Sequence, residues 1–289
     1  MLRDILKSMR PKQWLKNVFV LPALIFDRQL FHYEAFMRTA IGFGLFCLLS
    51  SAIYILNDIA DIESDRQHPR KKNRPIAAGR VPVKVATFIA IVLLLIVFVG
   101  GYFLSKNFLI VAVLYWILNT VYSKWLKHEP ILDAITLSMG FLLRVFAGVS
   151  LIVVQRFSPW LYVVATLISL YIVFGKRRAE LNLLQSNNNG QRPVLDGYTI
   201  PFLDNLINII SAMTIISYSL YTFSAPNVPE NHTMMLTIPF VIYGIFRYLY
   251  IMQVLCKGDT PEDIFLHDRP LQIAMVLWAL AVVLIFYSM

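Results

Sequence analysis

The sequence predicts an all-α, polytopic membrane protein of about nine transmembrane helices. Three observations lead there. Of the 289 residues, 58% are hydrophobic and only 15% charged, where a soluble domain carries roughly 25% charged. The apolar residues come in long runs rather than at amphipathic spacing, which excludes an ordinary soluble domain and a disordered chain. Lys and Arg, finally, are divided unevenly between alternate loops.

A hydrocarbon core ~30 Å thick needs about 20 apolar residues of helix. Runs near that length lie at 36–56, 85–104, 107–123, 131–153, 160–175, 203–223, 234–253 and 271–288. A weaker span covers 12–26. It carries Pro22 and opens with Lys12 and Lys16, which can snorkel to headgroups.

The net charge of +9 would suggest nucleic acid in a soluble protein. Here its placement matters more, and no nucleic-acid partner is expected. With the N-terminus assigned to the cytoplasm, Arg28, Arg38, Lys106 and Arg156 fall outside and Arg144 falls within a span. The other Lys and Arg lie in the N-terminal arm, in the loops 57–84, 124–130, 176–200 and 254–270, or, for Arg247, at the inner end of the eighth span. This positive-inside pattern predicts a multi-pass protein of the inner (plasma) membrane with those four loops cytoplasmic and the C-terminus outside. The chain, 1–289, reads as one transmembrane domain. Cys47 and Cys256 read as buried thiols. No cleaved signal peptide or lipidation is expected. The long inside loops include turns at Asn187-Asn188-Asn189-Gly190 and at Gly258-Asp259-Thr260-Pro261, the latter before a helix start. Function concentrates on loops held by a scaffold, so the site should face the cytoplasm.

The second span ends in Asn57-Asp58-Ile59-Ala60-Asp61-Ile62-Glu63-Ser64-Asp65. At about 100° per residue, Asn57, Asp58, Asp61 and Asp65 share roughly a third of the helix surface, and Glu63 points away. Carboxylates stacked at a membrane boundary repel each other unless a cation sits between them. Hard oxygen ligands of this kind suit Mg²⁺. The alternative is a solvated helix end whose acids pair with Arg66, Arg70, Lys71 and Lys72. Arg74-Pro75-Ile76-Ala77-Ala78-Gly79-Arg80 follows. Arg74 and Arg80 are candidates for bidentate phosphate contacts, although a plain positive-inside cluster would look similar.

Asn-Asp-x-x-Asp-x-x-x-Asp followed by Arg-Pro-x-x-x-Gly-Arg resembles the UbiA superfamily of intramembrane prenyltransferases. The resemblance implies nine helices around a central cavity. It also implies that Asn57, Asp58, Asp61 and Asp65 hold magnesium and the diphosphate of a donor near the cytoplasmic mouth. Typical members carry a second motif, Asp-x-x-x-Asp. Here that position reads Gly175-Lys176-Arg177-Arg178-Ala179-Glu180. On a helix Lys176, Arg177 and Glu180 share a face. Cations in place of carboxylates turn a metal site into a direct phosphate site, with Glu180 orienting Lys176 or meeting a sugar hydroxyl. A stop-transfer basic cluster is the alternative.

Arg10-Pro11-Lys12-Gln13-Trp14-Leu15-Lys16-Asn17, the Lys-Arg-x-Ala-Glu segment and Tyr243-Gly244-Ile245-Phe246-Arg247-Tyr248 together resemble the decaprenyl-phosphate phosphoribosyltransferase branch. That branch joins 5-phosphoribosyl 1-diphosphate to a polyprenyl phosphate and releases diphosphate. On this reading Asp58, Asp61, Asp65 and Lys176 are the catalytic candidates, and Asn57, Arg74, Lys124, Arg177 and Glu180 are the candidates at the donor's phosphates. Arg144, by its depth in a span, and Arg247, near the inner end of the eighth span, are the candidates for the acceptor phosphate, and the product would serve envelope glycan synthesis. Lys124, in Tyr122-Ser123-Lys124, could equally snorkel. Arg144 shares a face with Asp133 and Gly140. In lipid it would cost at least ~2.5 kcal/mol, so it faces the cavity or pairs internally. The expected partners are therefore the two phosphate substrates, Mg²⁺ and the membrane, with a homo-oligomer left open. His32, His68, His128, His232 and His267 are scattered without metal-ligand spacing. Two other functions compete. One is transfer of a prenyl group from prenyl diphosphate to an aromatic acceptor, which an intact second aspartate motif would favour. The other is anion transport, which paired broken helices would favour.

Overall fold

The apolar runs become helices wherever no proline interrupts them. The computed structural model describes residues 1–67, 71–154, 158–187, 193–255 and 261–287. The turns expected through 188–190 and 258–260 lie outside these residues, as do His68, Arg70, Arg156 and Cys256. No strand occurs among the described residues. The helices are α1 (Leu2–Ser8), α2 (Pro22–Phe26), α3 (Tyr33–Ala60), α4 (Ile62–Gln67), α5 (Val83–Leu104), α6 (Lys106–Lys124), α7 (Leu132–Val149), α8 (Pro159–Asn187), α9 (Ile200–Ser224), α10 (Ile238–Gln253), α11 (Pro261–His267) and α12 (Arg269–Tyr287).

Eight helical segments among the described residues are long and apolar enough to cross a bilayer. They coincide with the eight strong runs of the sequence, and the protein is a multi-pass membrane protein. The weak run at 12–26 is helical but divided. Pro11–Val20 forms a 3₁₀ segment and α2 starts afresh at Pro22. Proline has no N–H to continue the hydrogen-bond ladder and crowds the residue before it, so this run is no single spanning helix. Conversely, α8 continues to Asn187, so the Lys176–Glu180 motif is helical rather than part of a loop.

Contacts gather the chain into two compact units. The first comprises Met1–Leu24, Gln29–Lys127 and Leu143–Val153; the second comprises Ile25–Arg28, His128–Leu142 and Val154–Met289. In the first, α3 packs against α5 and α6 around Phe46, Leu49, Val97, Phe108 and Leu151. The α5–α6 turn is set by Ser105, whose Oγ accepts the Phe108 N–H as helix cap. The 3₁₀ segment lies along α3. Trp14 Nε1 donates to Ser51 Oγ at 3.0 Å and Asn17 Nδ2 to Ser50 Oγ at 3.2 Å. The last turn of α7 closes against this segment, and only glycine fits there. A Cβ on Gly148 would stand 2.0 Å from the Val20 carbonyl oxygen. Gly148→Ala should therefore cost about 1–3 kcal/mol or more, read as a lower thermal unfolding midpoint in detergent. An unchanged midpoint would contradict this packing.

In the second unit α8 lies against α9, and α10 against α12. Its core is aromatic: Phe26 meets Tyr221 and Phe286 edge-on at 5.7 and 5.9 Å between ring centroids. The Tyr218 hydroxyl is partnered on two sides, Trp278 Nε1 donating to its Oη at 2.7 Å and Thr237 sharing a hydrogen bond with it. Exposed apolar side chains line the spans of both units, Phe103, Leu95, Ile216 and Leu284 among them. Such surfaces are at home in lipid tails.

Candidate active site

The acidic motif occupies the end of α3, one capping residue and α4. Asp61 caps α3, yet its N–H still bonds the Asn57 carbonyl, and the Asp65 N–H bonds that of Asp61. The helical spacing therefore survives the break. Asp58 and Asp65 are only 2% and 1% exposed. A buried, unpaired carboxylate costs several kcal/mol, so both need cations. Arg74 supplies one. Its Nη1 lies 3.0 Å from Asp58 Oδ1 and 2.6 Å from Asp65 Oδ2. Arg10 supplies another, donating to the same Asp58 oxygen with its guanidinium over the Tyr54 ring. Asp61 stands apart at 37% exposed and pairs with Lys127 at 3.2 Å. Glu63 is exposed and pairs with Arg66. Asn57 is half-buried and Lys124 exposed.

The segment after α4 aims Arg74. Ile76, Ala77 and Val81 are buried and anchor the turn. Its two ends are tied by the Arg80 and Val81 N–H groups, which both reach the Pro75 carbonyl. The turn closes through Gly79 at φ +73°, where a side chain would be strained. Arg80 points away from the carboxylates, to Asp4 Oδ1 at 3.1 Å and the Asn73 carbonyl.

Among the described residues no three His, Cys, Asp or Glu side chains gather into a metal cage. The motif presents instead one cation shared by two carboxylates, the Arg74 guanidinium nitrogen between Asp58 and Asp65. One or two carboxylates are what Mg²⁺ usually takes from a protein, with water and phosphate oxygens completing its shell. The donor set fits that ion.

In the second unit, the basic motif on α8 divides by face. Arg177 is fully buried; its Nε lies 2.6 Å from Asp133 Oδ2 and its Nη1 2.6 Å from Glu180 Oε2. Tyr198 donates its hydroxyl proton to Asp133 Oδ1 at 2.8 Å and accepts the Ile131 N–H at 2.6 Å. This holds Ile131 at φ +67°, an uncommon conformation for a β-branched residue. Burial pushes the Tyr198 hydroxyl up to about 12, so it stays a neutral donor. Arg178, on another face, bonds Asp204 at 2.5 Å and the Met252 carbonyl. Lys176 is about one-third exposed, with Nζ 3.9 Å from Glu180 Oε1.

The two remaining arginines are engaged as well. In the first unit Arg144 is buried. Its Nε donates to Asn17 Oδ1 at 2.9 Å and its Nη2 to Tyr115 Oη at 2.6 Å, with the guanidinium over the Tyr115 ring. In the second unit Arg247 is bidentate to Asp268 at 3.2 and 2.8 Å. That hydrogen-bonded pairing holds the Asp268 carboxyl below the usual aspartate range.

Sequence reasoning missed Arg10, Lys127, Tyr198, Asp204 and Asp268. Arg10 stood within a quoted motif but had no assigned partner. The others carried no local signal, because each partner lies far along the chain.

Residues 18–175 match the UbiA prenyltransferase family. Decaprenyl-phosphate phosphoribosyltransferase of Mycobacterium tuberculosis is 33% identical over 282 residues, covering 95% of this chain and 91% of that protein. The enzyme of the same description from Corynebacterium glutamicum is 34% identical over 295 residues, covering 99% and 87%. The fold is similar to that of a UbiA homolog from Archaeoglobus fulgidus solved with GPP and Mg²⁺ bound, with a TM-score of 0.74, 18% identity and coverage of 98% and 99%. A family match over more than half the chain, and relatives a third identical along nearly all of it, mean that this chain belongs to the UbiA prenyltransferase family.

Proposed function

We propose that this protein is a Mg²⁺-dependent polyprenyl-phosphate phosphoribosyltransferase. It moves 5-phosphoribose from 5-phosphoribosyl 1-diphosphate to a polyprenyl phosphate and releases diphosphate. The observation that carries this reading is the nearly full-length similarity to decaprenyl-phosphate phosphoribosyltransferases. The cationic second motif agrees with it. A donor with an additional 5-phosphate and an acceptor that is itself a phosphate both call for cations where an aromatic acceptor would not.

Asp58 and Asp65 would hold the magnesium ion, with Asp61 and Asn57 beside them in the same motif. When bound, the ion neutralises charge on the departing diphosphate. Arg10 and Arg74, released from the carboxylates, turn to phosphate oxygens and stabilise the charge that grows as the anomeric bond breaks. Lys176 meets a donor phosphate, and Glu180 orients its ammonium. Arg177 and Arg178 secure α8 through Asp133 and Asp204. The acceptor phosphate is already anionic at neutral pH, so no general base is needed, and its attack from the opposite face inverts the anomeric carbon. Arg247 is the candidate for the acceptor phosphate and would exchange Asp268 for it. Arg144 anchors the 3₁₀ segment through Asn17. Purified protein offered phosphoribosyl and prenyl diphosphates, each with polyprenyl phosphate and an aromatic acceptor, should yield only polyprenylphosphoryl ribose 5-phosphate by mass. EDTA should stop the reaction and magnesium restore it. A prenylated aromatic product would overturn the assignment.

The site faces the cytoplasm across the plasma membrane on this reading, because Lys and Arg concentrate at that end. A cysteine placed at Lys72 should react with an impermeant thiol reagent in inside-out vesicles and not in intact cells. The reverse pattern would invert the topology.

A further inference from the structure

Outside the acidic motif, the first unit carries a second cationic feature. An open cavity of about 590 Å³ is lined by Arg3, Asp4, Lys7, Asn73 and Arg80. Its one carboxylate is engaged: Asp4 Oδ1 lies 3.1 Å from Arg80 Nε and Oδ2 lies 4.0 Å from the Met1 amine. Arg80 is further tied to the Asn73 carbonyl at 2.7 Å. Among the described residues neither the Arg3 guanidinium nor the Lys7 ammonium has a hydrogen-bond or ion-pair partner, and both residues are exposed. The cavity therefore presents two cations that nothing in the described chain neutralises.

The helix bearing them has three faces. Ile5 and Met9 pack onto the buried cluster of Ile55, Ile76 and Ala86. Arg3 and Lys7 share the face that lines the cavity. Beside them Leu2 and Leu6 are 74% and 48% exposed. Where α5 begins, Val83 is 43% exposed, three residues beyond Arg80. Exposed leucines next to unneutralised cations, at the mouth of a membrane-crossing helix, are the features of a helix lying in the bilayer interface.

We propose that this cavity binds the phosphate of an anionic phospholipid, with Arg3 and Lys7 as its ligands and Leu2 and Leu6 against its acyl chains. A soluble anion would gain only from solvent-exposed charges, which salt screens. A phospholipid gains from those charges and also from covering the leucines. The site is separate from the carboxylates Asp58 and Asp65.

The test uses the full chain in phosphatidylcholine nanodiscs doped with phosphatidylglycerol, with retained lipid identified by native mass spectrometry. Arg3→Gln/Lys7→Gln should weaken phosphatidylglycerol binding about thirtyfold, because each basic side chain near an anionic surface contributes roughly a fivefold gain. Retention of phosphatidylcholine and the unfolding midpoint should not change. Leu2→Ser/Leu6→Ser should also lower phosphatidylglycerol retention. If the double variant inserts poorly, the single substitutions, each expected to cost about fivefold, carry the same test. Equal retention of phosphatidylglycerol by variant and parent would overturn the proposal. So would displacement of the lipid by inorganic phosphate or diphosphate, which would identify the cavity as a site for a soluble anion.

Discussion

Asp65→Ala is expected to reduce kcat/KM by about a thousandfold or more, the scale of losing a group that stabilises developing charge in a dry site. Asp65 is 1% exposed and shares the Arg74 guanidinium nitrogen with Asp58. Two roles are compatible with that position, clamp and metal ligand, and Asp65→Asn separates them. An amide oxygen still accepts from Arg74, so a clamp would survive the substitution. A Mg²⁺ ligand needs the carboxylate charge, so Asp65→Asn should be nearly as inactive as Asp65→Ala and should need far more magnesium for its residual turnover. The measurement is turnover against magnesium concentration, with unfolding midpoints reported beside it. Removing one member of a buried pair can cost 3–5 kcal/mol of stability, and loss of activity counts only in protein that still folds. Near-normal turnover of folded Asp65→Asn at ordinary magnesium would remove Asp65 from the metal site.

The same motif marks where reading from sequence succeeds and where it stops. The spans were legible because length and apolarity are local properties: Val83–Leu104 and Lys106–Lys124 lie within two residues of the runs that predicted them. The grouping of Asp58 with Asp65 was legible because helical spacing is local too. The long-range pairings were not. Asp58 takes Arg10 from 48 residues away, Asp61 takes Lys127 from 66, and Arg177 takes Asp133 from 44. Nothing in a local pattern separates Lys127 from Lys124, three residues earlier. One is tied to a carboxylate and the other is exposed. Two arginines expected at an acceptor phosphate, Arg144 and Arg247, are held by Asn17 and Tyr115 and by Asp268. The sequence correctly required Arg144 to face a cavity or pair internally, since lipid exposure is costly. Only the packing of α7 against the 3₁₀ segment within the first unit decided between them. The split of Pro11–Phe26 into two short pieces was half legible. Pro22 announced a break, but not that a 3₁₀ turn would precede it.

The second large effect lies at Lys176. Its neighbours in the motif are committed to structure, Arg177 to Asp133 and Glu180, Arg178 to Asp204 and the Met252 carbonyl. Lys176 is the partly exposed cation of the three, poised 3.9 Å from Glu180. If it meets a donor phosphate, Lys176→Ala loses a charge-assisted hydrogen bond worth ~1.5–3 kcal/mol. That is roughly a tenfold to hundredfold loss in kcat/KM for phosphoribosyl diphosphate. Lys176→Asp should be worse, because it sets a carboxylate against phosphate and against Glu180 one helical turn away. Lys176→Arg should recover part of the loss by keeping the charge, whereas a merely structural role would leave all three variants differing in unfolding midpoint and not in kcat/KM. In an ordinary prenyltransferase the outcome reverses: Lys176→Asp would rebuild part of the missing aspartate motif beside Glu180, and turnover of prenyl diphosphate would hold or rise. A basic cluster serving only to set topology would leave the specific activity of correctly inserted Lys176→Asp unchanged. Kinetics with phosphoribosyl diphosphate as the varied substrate, on variants checked for insertion, distinguish the three, and an unchanged kcat/KM for Lys176→Asp would sink its role in binding the donor.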